Sequence, residues 1–348
     1  MILLVNSLKV GIVGMGKMGL LHAGILNSIQ GTQLFAIADT EKLITNFIKK
    51  TSPQIEVYDD YTKMIQSSKI DLVYITTPVS SHIPIASFCA QNAIPFFVEK
   101  PLGRNSEECV LLCDTVNNTK VINMVGFYLR YADTFAKTKN LLETGIIGNI
   151  TNVKSSVYQT QILSKNLGWR FKKEVSGGGV LIDLGSHLID LLLWFFGKMD
   201  TVNASTKSDY TKEVEDSAIA EILFKNGLKC SFEASWTIPN YRLQETTIEI
   251  EGENGTITVN EDYVKIDYYS PEKSTDNSIF YRQELSKGVP IDIGGPEYTK
   301  EDIDFLDCIK NKKQSMLNVH NSSNTQSVID YMYKSAQTKK IEKVIYIE

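Results

Sequence analysis

Leu8-Lys-Val-Gly-Ile-Val-Gly-Met-Gly-Lys-Met-Gly19 decides the fold of this chain. Its first half is an apolar, β-rich run. Its second half is a Gly-x-Gly-x-x-Gly turn, after which the apolar spacing becomes helical up to Ile29. In a strand–turn–helix unit of this kind Gly14 makes the tight turn, Gly16 lets the backbone come close to a pyrophosphate, and Gly19 lets helix and strand pack closely. The free N–H groups of the helix start, with Lys17 and Met18 beside them, complete an anion-binding end. Glycines placed for packing alone would have the same spacing. The second predicted strand, however, ends at Asp39, twenty residues after Gly19, where a ribose-binding acid belongs. A carboxylate there accepts from ribose hydroxyls and repels a 2′-phosphate, which favours NAD over NADP; Thr40 and Lys42 leave NADP as the alternative.

Outward from this unit, strand-like runs at Leu8–Gly14, Gln33–Ala38, Ile55–Val57, Leu72–Thr76, Ile94–Val98 and Val121–Val125 alternate with helical spacing at Lys17–Ile29, Glu41–Lys49, Tyr61–Ser67, Ile83–Gln91 and Ser106–Val116. That alternation predicts an α/β fold, a doubly wound parallel sheet over residues 1–125. After Gly126 the pattern changes. A helix at Ala132–Thr144 and a strand at Ile150–Gln159 lead to the glycine run, and six further strands follow: Thr201–Ser208, Ser217–Phe224, Lys229–Thr237, Gln244–Glu251, Gly255–Asn260 and Tyr263–Tyr268. Asn226-Gly227 and Asn254-Gly255 mark hairpins. Glu272–Ser278 reads as a loop, Tyr298–Lys310 and Asn321–Lys339 as helices, and Val344–Ile347 as a closing strand. Residues 126–348 are thus expected to form an α+β domain with a large, mostly antiparallel open sheet.

The 348 residues are too many for one compact core and suit two domains. A net charge of −5 gives no basic footprint for nucleic acid. Five cysteines without a Cys-x-x-Cys pair read as reduced thiols of a cytoplasmic protein. Residues 1–13 lack a basic n-region and read as the lead into the first strand rather than a signal peptide. The longest apolar run, around Leu188–Phe196, is too short to span a membrane. The expectation is therefore a protein without nucleic-acid or membrane partners.

Two further stretches carry chemistry. Phe97-Val-Glu99-Lys100-Pro101 ends the fifth predicted strand, and ligands of open parallel sheets bind at strand carboxyl ends. A surface ion pair of Glu99 with Lys100 at a loop entrance is an equal reading of that stretch on position alone. Ser176–Gly197 reads as one glycine-opened helix, apolar almost all round, with Asp183, His187 and Asp190 at i, i+4 and i+7 on one face. Buried ionisable groups are costly unless paired or useful, so this stripe suggests an active-site wall. Asp183 and His187 have ligand spacing for a metal, but no third and fourth ligand is evident, and no metal is expected.

Taken together, Val13–Gly19 with His22, Thr77-Pro78 with His82, Glu99-Lys-Pro101, and Gly177–Asp183 with His187 and Asp190 resemble the glucose–fructose oxidoreductase, inositol dehydrogenase and MocA family of NAD(P)-dependent enzymes, over nearly the whole chain. The resemblance implies a Rossmann domain before a larger α/β domain whose open sheet supports a homodimer or homotetramer. It implies a polyhydroxylated substrate (a sugar, nucleotide sugar or cyclitol) and a cis Lys100–Pro101 bond. It matches Lys100, Asp183 and His187 to catalytic positions.

In chemical terms, His187 has a suitable ordinary pKa to take a hydroxyl proton. Lys100 would hydrogen-bond the same oxygen, either it or His187 carrying the proton, and Asp183 would position substrate or balance the charge. Thr76, Thr77, Pro78, His82 and Glu99 are expected to join Gly14, Gly16, Lys17, Met18, Gly19, Asp39 and Lys100 at the cofactor. Trp169 and Arg170 are expected at the substrate, as is Arg130, although Tyr128 stands where the family often has Asn. Substrate choice is expected from loops around Gln159–Lys173 and Tyr241–Arg242. A non-catalytic dinucleotide or sugar sensor of the same fold is the rival; the acid–base set argues against it, since a sensor needs none.

Overall fold

The computed structural model describes residues 7–161, 168–286, 288 and 291–347. The expected readings of residues 1–6 and of most of the loop before Trp169 lie outside the described residues. The chain forms two compact units, Met1–Gly103 with Glu107–Gly126 and Val289–Ser322, and Arg104–Ser106 with Phe127–Gly288 and Ser323–Glu348.

The first unit is built on six strands, β1 (Leu8–Val13), β2 (Thr32–Ala38), β3 (Glu56–Tyr58), β4 (Leu72–Ile75), β5 (Phe96–Glu99) and β6 (Asn123–Gly126), paired in the order β3-β2-β1-β4-β5-β6. All neighbours are parallel, with Val13 beside Ala38 on one side and Ile75 on the other. Strands this apolar suit a sheet covered on both faces: β4, β5 and β6 are buried at every position. Helices α1 (Lys17–Ser28), α2 (Lys42–Thr51), α3 (Tyr61–Ser67), α4 (His82–Gln91) and α5 (Ser106–Thr119) supply the crossovers. The order reverses between β1 and β4, the topological switch point at which such sheets bind ligands.

The second unit holds a nine-stranded sheet. Its strands are β7 (Ile150–Tyr158), β8 (Met199–Lys207), β9 (Ser217–Phe224), β10 (Lys229–Ser235), β11 (Glu245–Gly252), β12 (Gly255–Val259), β13 (Tyr263–Tyr268), β14 (Ser278–Tyr281) and β15 (Glu342–Lys343), in the order β14-β13-β12-β11-β7-β10-β9-β8-β15. Among the described residues only β7 and β10 pair in parallel in this sheet. Buried and open residues alternate along β9 and β11, so one face is core and the other polar. The core face carries α6 (Asp133–Glu143), α8 (Val180–Asp183) and α9 (Gly185–Phe196), with the short α7 (Lys173–Ser176) preceding α8, and Trp236, Phe232 and Leu188 are buried there. Helices α10 (Arg282–Leu285), α11 (Pro296–Lys310) and α12 (Val319–Thr338) complete the chain.

Three sequence expectations need correction. The stretch 176–197 is not one helix, because the segment Lys173–Asp183 meets α9 at a bend of 50°. At the break the Ser186 hydroxyl donates to the Asp183 carbonyl at 3.1 Å, and the His187 N–H turns to Leu184 instead. A serine side chain has replaced one rung of the helical ladder. The span read as a loop at Glu272–Ser278 contains a 3-10 turn, Pro271–Asp276, and is followed by β14. The closing strand is Glu342–Lys343, two residues before the apolar run that suggested it. Among the described residues no single helix is long and apolar enough to cross a membrane; one bent pair, Lys173–Asp183 with Gly185–Phe196, passes by length and composition, and α9 is buried along most of its length.

Candidate active site

In the first unit the carboxyl ends of four neighbouring strands carry the predicted residues. Gly14 follows β1 at φ +91°, a conformation that favours glycine, and its N–H donates to the Ala38 carbonyl at 2.9 Å. A Cβ on Gly19 would lie 2.0 Å from the Gly14 carbonyl oxygen, so only glycine lets α1 sit this close to the loop. A Cβ on Gly16 would meet nothing within 4 Å. The loop therefore needs Gly14 and Gly19 for its own packing, while Gly16 leaves open space at the start of α1. That space fits a ligand phosphate on the helix N-terminus. Lys17 is exposed and Met18 half-buried beside it.

Asp39 ends β2 with its carboxylate folded against this loop, where Oδ2 accepts from the Met15 N–H at 2.6 Å and Oδ1 from the Glu41 N–H at 2.8 Å. A carboxylate offers about four acceptor positions, so capacity remains for ribose hydroxyls. Thr76, after β4, donates to the Gly14 carbonyl at 2.6 Å. Thr77 and Pro78 are half-buried beside it. His82 is buried, with Nδ1 2.8 Å from the Pro101 carbonyl oxygen and Nε2 2.9 Å from that of Thr77. It ties the turn after β4 to the turn after β5. Burial holds its pKa below the usual histidine value, although both carbonyls oppose this.

Glu99 and Lys100 close β5, and the Lys100–Pro101 bond is cis, as the resemblance implied. Lys100 is half-buried; Glu99 is buried and accepts from the Lys100 backbone N–H at 3.2 Å. Its other oxygen lies 3.1 Å from Nε2 of His22, a fully buried side chain on α1 whose Nδ1 lies 2.9 Å from Asp302 of α11. Glu99 thus forms a buried pair with His22. Asp302 was missed in the sequence. Its signal was its spacing, three and four residues before the buried Phe305 and Leu306, a core position occupied by an acid.

In the second unit, Asp183 ends α8, while His187 and Asp190 lie on α9. Both residues on α9 are buried. The His187 ring meets Tyr128 edge to face with centroids 4.9 Å apart, and Phe127 at 6.1 Å. Asp190 takes a two-pronged bond from Arg130, whose Nε and Nη2 each approach to 2.7 Å. Burial pushes the Asp190 carboxyl upward and Arg130 opposes it. Arg130, expected at the substrate, thus has its guanidinium engaged with Asp190. Arg170 stacks on Trp169 at 4.7 Å and reaches Asp183 at 3.7 Å. Among the described residues no group of three or more His, Cys, Asp or Glu could hold a metal ion.

The glycine run is explained by residues the sequence did not single out. A Cβ on Gly178 would lie 1.9 Å from the Tyr333 hydroxyl, and one on Gly179 would lie 1.8 Å from the Glu215 carbonyl oxygen. The Glu215 carboxylate, buried, accepts from the N–H groups of Gly179 and Leu181 at 3.0 Å and from the Tyr333 hydroxyl at 2.8 Å. An acid at the first turn of a helix satisfies its orphan donors and suits its dipole. Here the acid comes from the segment before β9 and fixes the start of the helix that ends in Asp183.

A parallel sheet in Rossmann order with a glycine loop and an acid at its switch point defines a dinucleotide-binding protein, and the two-unit plan is that of a nicotinamide-dependent oxidoreductase. Residues 8–127 match the family model described as the oxidoreductase family with an NAD-binding Rossmann fold, and residues 135–258 match the GFO/IDH/MocA C-terminal domain. The chain belongs to the GFO/IDH/MocA family. It is similar to oxidoreductase P35 of Formosa agariphila, 32% identical over 201 residues, a match covering 56% of this chain and 61% of that protein. Levoglucosan dehydrogenase of Pseudarthrobacter phenanthrenivorans is 26% identical, over 73% of this chain and 74% of the relative. The NAD-type scyllo-inositol 2-dehydrogenase of Bacillus subtilis shows the same identity and the same two shares. Among solved structures, a levoglucosan dehydrogenase in complex with NADH superposes with a TM-score of 0.89 at 24% identity, over 98% of this chain and all of the other, which shows a shared fold.

Proposed function

We propose that this protein transfers a hydride between NAD and a secondary alcohol or ketone of a polyhydroxylated small molecule: a sugar, nucleotide sugar or cyclitol. The observation that carries the reading is the carboxyl edge of the first sheet. There Asp39, Gly14, Thr76 and Lys100 follow four adjacent strands, β2, β1, β4 and β5, around the switch point. The named relatives act on levoglucosan and inositols, which supports this substrate class. Gly14–Gly19, Asp39, Thr76–Pro78, His82, Glu99 and Lys100 are the proposed cofactor side. Trp169, Arg170 and Arg130 join Lys100, Asp183 and His187 on the proposed substrate side, Arg130 by way of Asp190.

Nicotinamide, when bound, supplies the hydride acceptor, or the donor in reverse. His187 takes the hydroxyl proton as the carbon–hydrogen bond breaks, and returns it when a ketone is reduced. Lys100 donates a hydrogen bond to the same oxygen and stabilises the alkoxide character that develops there. Asp183 orients the neighbouring hydroxyls. The proposed setting is the cytoplasm, in keeping with five buried cysteines. The proposed assembly is a homodimer or homotetramer formed through the polar face of the nine-stranded sheet, with no nucleic-acid or membrane partner.

The reading is tested by following the reduced-nicotinamide absorbance with a panel of sugars, nucleotide sugars and cyclitols. Turnover with a panel member is expected, falling about 10²–10⁴-fold in Lys100→Ala and in His187→Ala. Tight NAD binding without turnover on any member would favour the sensor.

A further inference from the structure

The side chains behind Lys100 form a continuous buried chain within the first unit. It starts on α11, where Asp302 is fully buried, with Oδ1 2.9 Å and Oδ2 3.1 Å from His22 Nδ1. It crosses the His22 ring to Nε2, 3.1 Å from Glu99 Oε1. It ends where Glu99 Oε2 accepts the Lys100 N–H. The rings of Phe97, Tyr74 and Tyr298 surround His22 at 5.0, 5.3 and 6.4 Å.

Each ring nitrogen of the imidazole faces a carboxyl group, Nδ1 that of Asp302 and Nε2 that of Glu99. Burial alone would pull the imidazole pKa down, but Asp302 and Glu99 carry it well above the ordinary value. A buried ionic cluster is a poor source of stability, because desolvation offsets most of the attraction and well-packed apolar side chains do as well or better. What such a cluster provides over apolar packing is direction, since each member accepts only one geometry of its neighbours. The direction here ends on the backbone of the residue proposed to meet the substrate oxygen. From the other side His82 holds the Pro101 carbonyl.

We propose that Asp302, His22 and Glu99 are positioning residues for hydride transfer, a relay through which α11 fixes the Lys100 turn. The proposal rests on the role given to Lys100 above. A misplacement of about 1 Å at a reacting group costs on the order of 10²-fold in rate, and a broken relay acts through Lys100 alone.

That last point supplies the test, a double-mutant cycle on the full-length protein with NAD and a panel substrate. Asp302→Asn keeps the side-chain shape and removes the charge. It is expected to lower kcat by about 10²-fold, with KM for NAD and NADH fluorescence titration close to wild type. In the Lys100→Ala background, followed by single turnover, the same substitution should add no further loss. Glu99→Gln cuts the relay at its other carboxylate and should repeat the loss in kcat and its disappearance in the Lys100→Ala background, which keeps the test open if Asp302→Asn does not fold. An equal loss in both backgrounds would mean a general structural role and would overturn the proposal, as would unchanged kcat in both single variants. Should Lys100→Ala itself keep wild-type turnover, the functional reading fails first, and that result is distinct.

Discussion

Asp39 is the side chain whose charge should separate the two nicotinamide cofactors. The Met15 and Glu41 N–H groups anchor its carboxylate beside the glycine loop, where it would repel a 2′-phosphate. kcat/KM with NAD should exceed that with NADP by about tenfold or more, which is about 1.4 kcal/mol; equal values would contradict the assignment. Glu261 gives a pH-dependent prediction remote from the chemistry. Burial raises its pKa to about 7, opposed by the Thr246 N–H. Because the folded value lies above the unfolded one, stability is full below about pH 4.5 and is lost as pH rises through about 7. Glu261→Gln, which keeps an acceptor for Thr246, should raise Tm at pH 8 and leave it unchanged at pH 4. At this scale the sequence showed Gly14, Gly19 and Asp39 plainly, because local spacing carries their role. Asp302 and Glu215 were hidden because their partners lie far along the chain, at His22 and Tyr333.

The glycine loop and the glycine run make opposite predictions for the same substitution. Gly16→Ala puts a methyl group into open space, so it should cost at most about 1 kcal/mol of stability while weakening NAD binding in a fluorescence titration. Gly179→Ala drives a methyl group into the Glu215 backbone and should cost about 1–3 kcal/mol or more in urea unfolding. If both variants bound NAD as wild type does, the phosphate role of Gly16 would be wrong. Elements with strong periodicity were legible. Tyr61–Ser67, Ser217–Phe224 and Tyr263–Tyr268 have the boundaries read from the sequence. The break between Asp183 and Gly185 was not legible, because apolar spacing runs on through it and the Ser186 hydroxyl that replaces a helical rung looks like any helix-surface serine.

For the whole molecule, the change of pattern near Gly126 falls where the structure passes from one unit to the other, but residues 289–322 return to the first. Periodicity identified α11 as a helix without saying which sheet it serves. The return is built into the first unit: Val125 N–H donates to the Leu317 carbonyl at 2.8 Å, and the buried Asn123 accepts from Val319 at 2.7 Å. A fragment ending at Gly126 would leave the Val125 N–H and the Asn123 Oδ1 without these partners and His22 with Glu99 but not Asp302. It should therefore lack a cooperative urea transition by circular dichroism, and a cooperative transition would contradict this dependence. The central claim, hydride transfer to and from a polyhydroxylated substrate through Lys100 and His187, meets its most direct test in one measurement. Reduced-nicotinamide absorbance is followed for wild type, Lys100→Ala and His187→Ala against the same substrate panel. The account predicts turnover for wild type on a panel member and a loss of about 10²-fold or more in each variant; both variants turning over close to wild type would contradict it.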